Sequence, residues 1–169
     1  MRLFALTIFA LACAGCSGNP SDGWTMGNTH SERYSTITAP LFENLTYERG
    51  LEAQLGRALV SEIESSTPYK VTGPGLADTM LSGTISSAEL IPLTKSVTTG
   101  LASETLYKVT IDFEWSDLAT GEPITARNRF TASAMFTSSR PAQEPIELAR
   151  FQVVQQLARD LVDAMQSNW

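Results

Sequence analysis

Cysteine and histidine, on which many catalytic and metal sites depend, are nearly absent from this sequence. The 169 residues include two cysteines and one histidine. Because Cys13 and Cys16 both lie at the N-terminus, the rest of the chain can form no internal disulfide and no cysteine-ligated metal site. His30 precedes the first predicted strand, which excludes a His–His zinc pair and a Ser–His–Asp arrangement within the fold. We therefore predict that the protein is not an enzyme and binds no metal or cofactor.

Positive charge is also scarce. The chain has 12 Lys and Arg residues against 18 Asp and Glu, for a formal net charge of -6. An acidic surface repels phosphate backbones, and no cluster of basic residues offsets it, so we predict no nucleic-acid partner. Hydrophobic residues make up 43% of the chain and charged residues 18%. This composition is sufficient to fill the core of one domain.

The N-terminus has the layout of an export signal. Arg2 is followed by an apolar run over residues 3–12 and then by small residues just before Cys16. The apolar run is shorter than the ~20 residues that a membrane-spanning helix needs. We therefore predict that residues 1–15 are a signal peptide and that the mature chain begins at Cys16.

The segment Ala14-Gly15-Cys16 resembles the lipobox of bacterial lipoproteins, whose cysteine receives a diacylglyceryl group and, after cleavage, an N-terminal acyl chain such as palmitate. The resemblance implies a lipid anchor at Cys16, and two or more acyl chains hold a protein stably on a membrane. Cys13 stands where the pattern usually has Leu, and Cys13 itself is the alternative lipidated residue. Ser17 stands where Asp would resemble an inner-membrane retention signal, so we predict an outer-membrane lipoprotein.

The segment after the predicted lipid anchor is polar and has no apolar period. It is rich in Gly, Ser, Asn and Asp. We predict that residues 16–33 are a lipidated N-terminus and flexible tether and that residues 34–169 form a single domain.

Alternation of apolar and polar side chains predicts strands in the body of the chain. They cover residues 34–42, 106–115 and 124–136, with a bent strand region over 69–71 and 78–90. A loop is expected over 92–105. The side chains predicted to face the core from residues 34–42 and 106–115 are Ile37, Ala39, Leu41, Val109, Ile111, Phe113 and Trp115.

Apolar residues at helical spacing predict two helices, over residues 50–65 and 146–165. Asn44 is interpreted as a turn residue that leads into the first helix, and Pro145 as the start of the second. The predicted buried stripes are Leu51, Leu55, Leu59 and Ile63 in the first helix, and Phe151, Val154, Leu157, Ala158, Leu161 and Met165 in the second.

This order of elements predicts an α+β fold. The order β-α-β-β-β-α favours a two-layer sandwich, with a mixed four-stranded sheet and two helices on one face. The first helix allows the first two strands to lie parallel, and the last two strands form a hairpin. The opposite face of the sheet would be open, and we expect function there.

Three segments taken together resemble a known family. Residues 37–46 read ITAPLFENLT, residues 77–85 read ADTMLSGTI, and residues 112–121 read DFEWSDLATG. With the lipobox and the closing helix, they resemble the lipopolysaccharide-assembly lipoprotein family, LptE. The first two segments also resemble CsgG-like secretion lipoproteins and activators of peptidoglycan synthases, which are the alternative functions.

The LptE resemblance implies a lipoprotein that performs no chemistry. It implies a plug seated in the lumen of the β-barrel LptD, where it supports barrel assembly and helps to deliver lipopolysaccharide to the cell surface. The implied partners are an LptD-like barrel, lipopolysaccharide and the membrane, through the acyl chains. The domain would lie on the periplasmic side of the outer membrane or within the barrel lumen.

Three basic residues of the predicted hairpin form a candidate site for lipopolysaccharide phosphates. Lys108, Arg127 and Arg129 have the parity of one sheet face, opposite the apolar positions. Arginine can bind phosphate oxygens through two hydrogen bonds. The alternative is ordinary cross-strand ion pairing, in which Glu114 faces Arg127 and Asp112 faces Arg129.

Overall fold

The computed structural model describes residues 33–95, 102–137 and 145–166. The predicted signal peptide, Cys16 and residues 16–32 of the predicted tether lie outside the described residues. The helices are α1 (Leu51–Ser66) and α2 (Ile146–Ala164). The strands are β1 (Thr36–Thr38), β2 (Glu43–Asn44), β3 (Lys70–Val71), β4 (Thr79–Lys95), β5 (Ala102–Asp117) and β6 (Pro123–Thr137).

The six strands form one mixed sheet in the order β3-β1-β4-β5-β6, and β2 pairs with β4 beyond the end of β1. β1 is parallel to both β3 and β4, and β2 is parallel to β4. β5 lies between β4 and β6 and is antiparallel to both. The α+β prediction is confirmed, with six strands where four were expected.

The two extra strands have local causes. Pro40 has no N–H to donate to a ladder, so β1 ends at Thr38, inside the predicted region 34–42, and β2 forms just beyond that region, at Glu43–Asn44. The interruption also changes which side chains point inward: Phe42 is 3% exposed and Leu41 is 64% exposed. The prediction that Leu41 faces the core is therefore wrong. The second region is divided into β3 and β4 by Gly73, Pro74 and Gly75.

The core lies between the helices and one face of the sheet. β5 crosses its centre, where Tyr107, Val109, Ile111, Phe113 and Trp115 are at most 3% exposed. The prediction for this strand is confirmed, and so is its hairpin with β6. β4 and β5 are longer than the predicted strands and pair with each other, because residues 92–94 pair with residues 104–105 inside the expected loop.

Both helices pack on the core face of the sheet and on each other. The predicted stripe of α1 is confirmed, since its four apolar residues are at most 1% exposed. The stripe of α2 is confirmed except for Phe151, which is 60% exposed. Phe151 instead lines surface grooves with Gln152 and Gln155 at the flanks of the helix, where no other described element covers it.

Candidate functional site

The sheet surface opposite the helices is the candidate functional site, and we call it the open face. Side chains of β5 alternate between this face and the core, and directly paired residues of β4 and β6 share its side. No helix or strand in residues 33–95, 102–137 and 145–166 covers it. Its members include Ser82, Thr84, Glu89 and Ile91 on β4, Leu106, Lys108, Thr110, Asp112 and Glu114 on β5, and Ala126, Thr131, Ser133 and Met135 on β6.

One end of the open face is acidic. A shallow groove of about 330 Å³ is lined by the carboxylates of Glu43, Asp112 and Glu114, together with Ser82 and Thr84. No basic side chain is among its lining residues. Like-charge repulsion therefore makes this end unsuitable for a phosphate.

The other end of the open face carries a row of apolar side chains. Ile91 of β4 is opposite Leu106 of β5, and Leu106 is opposite Met135 of β6. Met135 is 56% exposed. Sequence analysis missed this row, although Leu106 has the same parity as Lys108 and so belongs to the polar side of its strand. Polar and apolar surfaces thus adjoin on one face, which suits contact with a partner that is itself partly apolar.

The structure separates two of the basic residues that the sequence placed together. Lys108 is opposite Ser133 on the open face, whereas Arg127 is opposite Phe113, whose side chain points to the core. Along β5, Lys108 and Phe113, the residue opposite Arg127, are five residues apart, which is roughly 17 Å at the usual strand rise of about 3.4 Å. The predicted shared face is therefore wrong for Arg127.

A β-bulge in β6 causes this separation. Between the pairs Ile111–Phe130 and Phe113–Arg127, β6 has one residue more than β5, so side chains beyond the bulge change face. Within the bulge, Arg129 has a φ of 55°, and its backbone N–H donates to Asp112 Oδ1 at 2.7 Å.

The bulge also overturns the predicted cross-strand ion pairs. Glu114 is opposite Ala126, not Arg127. Asp112 accepts a hydrogen bond from the backbone N–H of Arg129. The expected pairing of Asp112 with the Arg129 guanidinium across the two strands is not formed. Neither of the two predicted pairings is formed as the sequence suggested.

Two carboxylates tie the beginning of the domain to the sheet. Asp117 is 5% exposed and accepts hydrogen bonds from Arg33 Nη2 at 3.2 Å and from Tyr34 Oη at 3.0 Å. It also accepts the backbone N–H groups of Ala119 and Thr120 in the turn between β5 and β6. These hydrogen bonds lower the pKa of Asp117, and the one from the Ala119 backbone has the largest effect. Desolvation by burial acts in the opposite direction but is the smaller effect.

Asp78, the second carboxylate, joins the start of β1 to the start of β4. Its Oδ2 accepts the backbone N–H groups of Ser35 at 3.0 Å and Thr36 at 2.9 Å, and the Ser35 hydroxyl at 3.1 Å. These bonds, led by the one from the Ser35 backbone, lower the pKa of Asp78 to about 2. Both carboxylates position the chain where it enters the domain, so their role is structural.

The described residues show no arrangement for metal chemistry. In residues 33–95, 102–137 and 145–166, no three His, Cys, Asp or Glu side chains group so as to hold a metal ion. Within the same ranges, no helix is both long enough and apolar enough to span a membrane.

The described residues thus form a two-layer α+β domain with one face of its sheet left uncovered by their helices and strands. The family model for lipopolysaccharide assembly, LptE, matches residues 34–167. Because the match covers nearly the whole domain, the chain belongs to the LptE family of lipopolysaccharide-assembly lipoproteins, which is not a family of enzymes. A comparison with curated proteins gives no match.

Several solved structures share the fold. Protein XCC0632 of Xanthomonas campestris superposes with a TM-score of 0.54 at 14% identity, over 76% of this chain and 81% of that chain. Hypothetical protein CT253 of Chlamydia trachomatis gives 0.53 at 8% identity, over 80% and 99%. Uncharacterized lipoprotein B of Nitrosomonas europaea gives 0.51 at 16% identity, over 84% and 92%. At these identities the likeness shows the fold alone.

Proposed function

We propose that this protein is an outer-membrane lipoprotein that is seated in an LptD-type β-barrel, supports assembly of that barrel and assists delivery of lipopolysaccharide to the cell surface. The observation that carries the proposal is the open face of a domain that belongs to the LptE family. The lipid anchor is proposed at Cys16, after removal of residues 1–15. The acyl chains hold the domain at the membrane, and the open face contacts the barrel.

The pattern of the open face supports contact with a partner. Its middle is polar, one end is acidic, and the other has the row Ile91, Leu106 and Met135. An apolar row beside polar residues can be buried against a protein wall with its polar neighbours hydrogen-bonded at the rim. Burying this row would contribute about 25 cal/mol for each Å² of apolar surface removed from water.

The seating can be tested by placing a charge in the apolar row. Leu106→Glu puts a carboxylate in the proposed contact, and we expect it to reduce co-purification of the barrel from detergent-solubilised membranes by at least about tenfold, since an unpaired charge in an interface costs several kcal/mol. Leu148→Glu is the matched control, because Leu148 is 46% exposed on α2 and lies away from the open face. If both variants have equal thermal stability and co-purify equal amounts of the barrel, the open face does not contact the barrel.

The function itself can be tested by depletion of the protein from cells. We expect loss of surface lipopolysaccharide and accumulation of misassembled barrel. Normal surface lipopolysaccharide after depletion would reject the proposal. Co-purification with a glycan polymerase in place of a barrel would favour the alternative, activation of a peptidoglycan synthase, and a secretion pore would favour a CsgG-like complex.

Of the three predicted basic residues, we propose that Lys108 contacts lipopolysaccharide phosphates, because it lies on the open face. It lies between the polar middle of that face and the apolar row, where a phosphate and acyl chains of one lipid could be contacted together. We expect Lys108→Ala to lower photo-crosslinking to lipopolysaccharide, and Arg127→Ala to leave it unchanged, because Arg127 is on the other face. If Arg127→Ala together with Arg129→Ala lowered crosslinking and Lys108→Ala did not, the contact would lie at the bulge instead.

A further inference from the structure

A groove runs along the outer flank of α1, in the helical layer. Its volume is about 630 Å³. Along the helix its lining extends from Ala53 to Glu64, which is roughly 16 Å at the helical rise of about 1.5 Å per residue. The other lining residues are Ala39, Leu41, Gly56, Arg57, Val60 and Ser61. None of them belongs to the open face, so this groove is a separate surface.

Leu41 forms an apolar wall of the groove. Its side chain lies against α1 at Gly56, where a built Cβ would be 2.8 Å from Leu41 Cδ2. Leu41 is nevertheless 64% exposed, so most of its apolar surface faces water inside the groove. Covering that surface would be favourable, because burial of apolar area stabilises a contact.

The chain enters the domain at the same end of the molecule as one end of this groove. α1 ends at Ser66, two residues beyond Glu64, and leads into β3. The backbone N–H of Lys70 in β3 donates to the carbonyl oxygen of Ser35 at 2.9 Å. The residues that precede Arg33 therefore reach the domain close to the Glu64 end of the groove.

The segment that precedes Arg33 contains a side chain suited to the groove. Between Cys16 and Arg33, Trp24 is the only Trp, Tyr or Phe residue, and Met26 is the only other large apolar residue. Trp24 is nine residues before Arg33, and nine extended residues span at most ~32 Å. This reach is about twice the length of the groove.

The charges of the groove and of this segment are complementary. Arg57 is the basic residue among the lining residues and is exposed. It has no ion-pair partner in residues 33–95, 102–137 and 145–166. Asp22, two residues before Trp24, is the only acidic residue between Cys16 and Trp24. An opposite charge beside Arg57 would be attracted to it.

We propose that this groove binds the N-terminal segment of the same chain, with the Trp24 indole between Leu41 and Val60 and the Asp22 carboxylate beside Arg57. An indole brings a large apolar surface and leaves its N–H at the polar rim. The two grooves along α2 are lined mostly by Gln, Ser and Arg side chains and offer less apolar surface to an indole.

The docking would fix where the lipid anchor leaves the domain, a consequence that rests on the proposed acylation of Cys16. From Arg33 to Cys16 the chain has seventeen residues, which span up to ~61 Å. From a docked Trp24 it has eight, which span up to ~29 Å. The anchor would then extend from the α1 side, and the open face would stay free for the barrel.

The first experiment uses the full-length lipoprotein purified in detergent, with two introduced cysteines. Thr25→Cys is adjacent to Trp24, and Ser61→Cys lies in the groove. We expect these two to form an intramolecular disulfide under mild oxidation, identified as a linked peptide by mass spectrometry.

Thr25→Cys with Ser82→Cys is the matched control for this cross-link. Ser82 is on the open face, three residues after Thr79, which pairs with Ile37 near the point of entry. The control pair should form at least about tenfold less disulfide, because docking raises the effective concentration of residue 25 only at the groove.

A second measurement needs no covalent bond. The emission of Trp24 is the difference between the spectra of wild type and Trp24→Ser. We expect it to be shifted to shorter wavelength than that of a free indole and to resist quenching by iodide. Val60→Glu places a carboxylate in the groove and should return both properties to those of a free indole. Leu148→Glu, the same change on α2, should leave them as in wild type.

Several outcomes would overturn the docking. Equal disulfide yields at Ser61→Cys and Ser82→Cys would do so, and cross-links between two chains would assign the groove to a second copy. Resistance of Trp24 to iodide that Val60→Glu leaves unchanged would place the indole in the detergent micelle instead. The docking needs no barrel and does not use the open face, so it and the barrel seating can fail independently.

Discussion

At the scale of single residues, a few polar side chains organise the turns on which the fold depends. Asn44 is the clearest: its Nδ2 donates to the Glu48 carbonyl at 2.8 Å and to Glu52 Oε2 at 2.7 Å. Its Oδ1 accepts the backbone N–H of Thr46 at 3.0 Å. The prediction that Asn44 forms the turn before α1 is confirmed. The pKa of the Glu52 carboxyl is lowered, first by a hydrogen bond from its own backbone N–H and then by the hydrogen bond from the Asn44 side chain.

We expect Asn44→Ala to destabilise the domain by about 1–3 kcal/mol. The substitution removes several hydrogen bonds and leaves the groups that Asn44 bonded, such as the Glu48 carbonyl and the Thr46 N–H, without that partner. The free energy of unfolding from urea titrations measures the change. Asn128→Ala, an exposed asparagine in the bulge, is the control and should change stability by less than about 0.5 kcal/mol. Equal effects of the two substitutions would contradict the role assigned to Asn44.

Asp78 makes the free energy of unfolding of the domain depend on pH in the acidic range. Its pKa is about 2 in the folded chain against an ordinary 3.8, so its contribution is complete above pH 3.8 and is lost as the pH falls toward 2. We expect Asp78→Asn to lower the melting temperature at pH 7, with the difference from wild type shrinking below pH 4. Asp160→Asn is the control. A difference that stayed constant from pH 7 to pH 2 would show that the carboxylate charge is not involved.

At the scale of elements, the contact between β2 and β4 depends on one glycine. Phe42 packs over Gly83, and a Cβ built at Gly83 would lie 2.4 Å from the Phe42 ring and 2.5 Å from the carbonyl oxygen of Asp112. The second neighbour is backbone and cannot rotate away. The absence of a side chain at this position is therefore required for Phe42 to reach the core.

We expect Gly83→Ala to destabilise the domain by about 1–3 kcal/mol through overpacking. Gly73→Ala is the matched control, because no atom lies within 4 Å of its Cβ position. Its effect should stay within about 0.5 kcal/mol. Differential scanning calorimetry of both variants provides the comparison. A neutral Gly83→Ala would mean that Phe42 packs elsewhere.

At the scale of the whole molecule, the proposed function requires a lipid anchor on a domain with one free sheet face. Arg150 and Glu48 form a salt bridge that joins the start of α2 to the loop before α1. The helices cover one side of the sheet and leave the open face uncovered by the described helices and strands. The proposed anchor would set where in the envelope the open face is presented.

We expect the mature chain to begin at Cys16 and to carry acyl chains there. Intact mass spectrometry of protein extracted from membranes measures both features. Cys16→Ser should prevent acylation and release the protein from the membrane fraction, whereas Cys13→Ser should leave both unchanged. Retention of residues 1–15, or acylation at Cys13, would contradict the assignment of Cys16.

The sequence alone determined the helices and the hairpin of β5 and β6, because periodic apolar residues act locally: a stripe at Leu51, Leu55, Leu59 and Ile63 is buried wherever the helix packs. It also determined the family, through the segments that resemble it. Only the tertiary structure decided the faces of Leu41 and Arg127. A single interruption at Pro40 or a single extra residue in β6 reverses every later side chain, and strand pairing between distant segments sets where that reversal falls. The open face and its apolar row follow from that pairing.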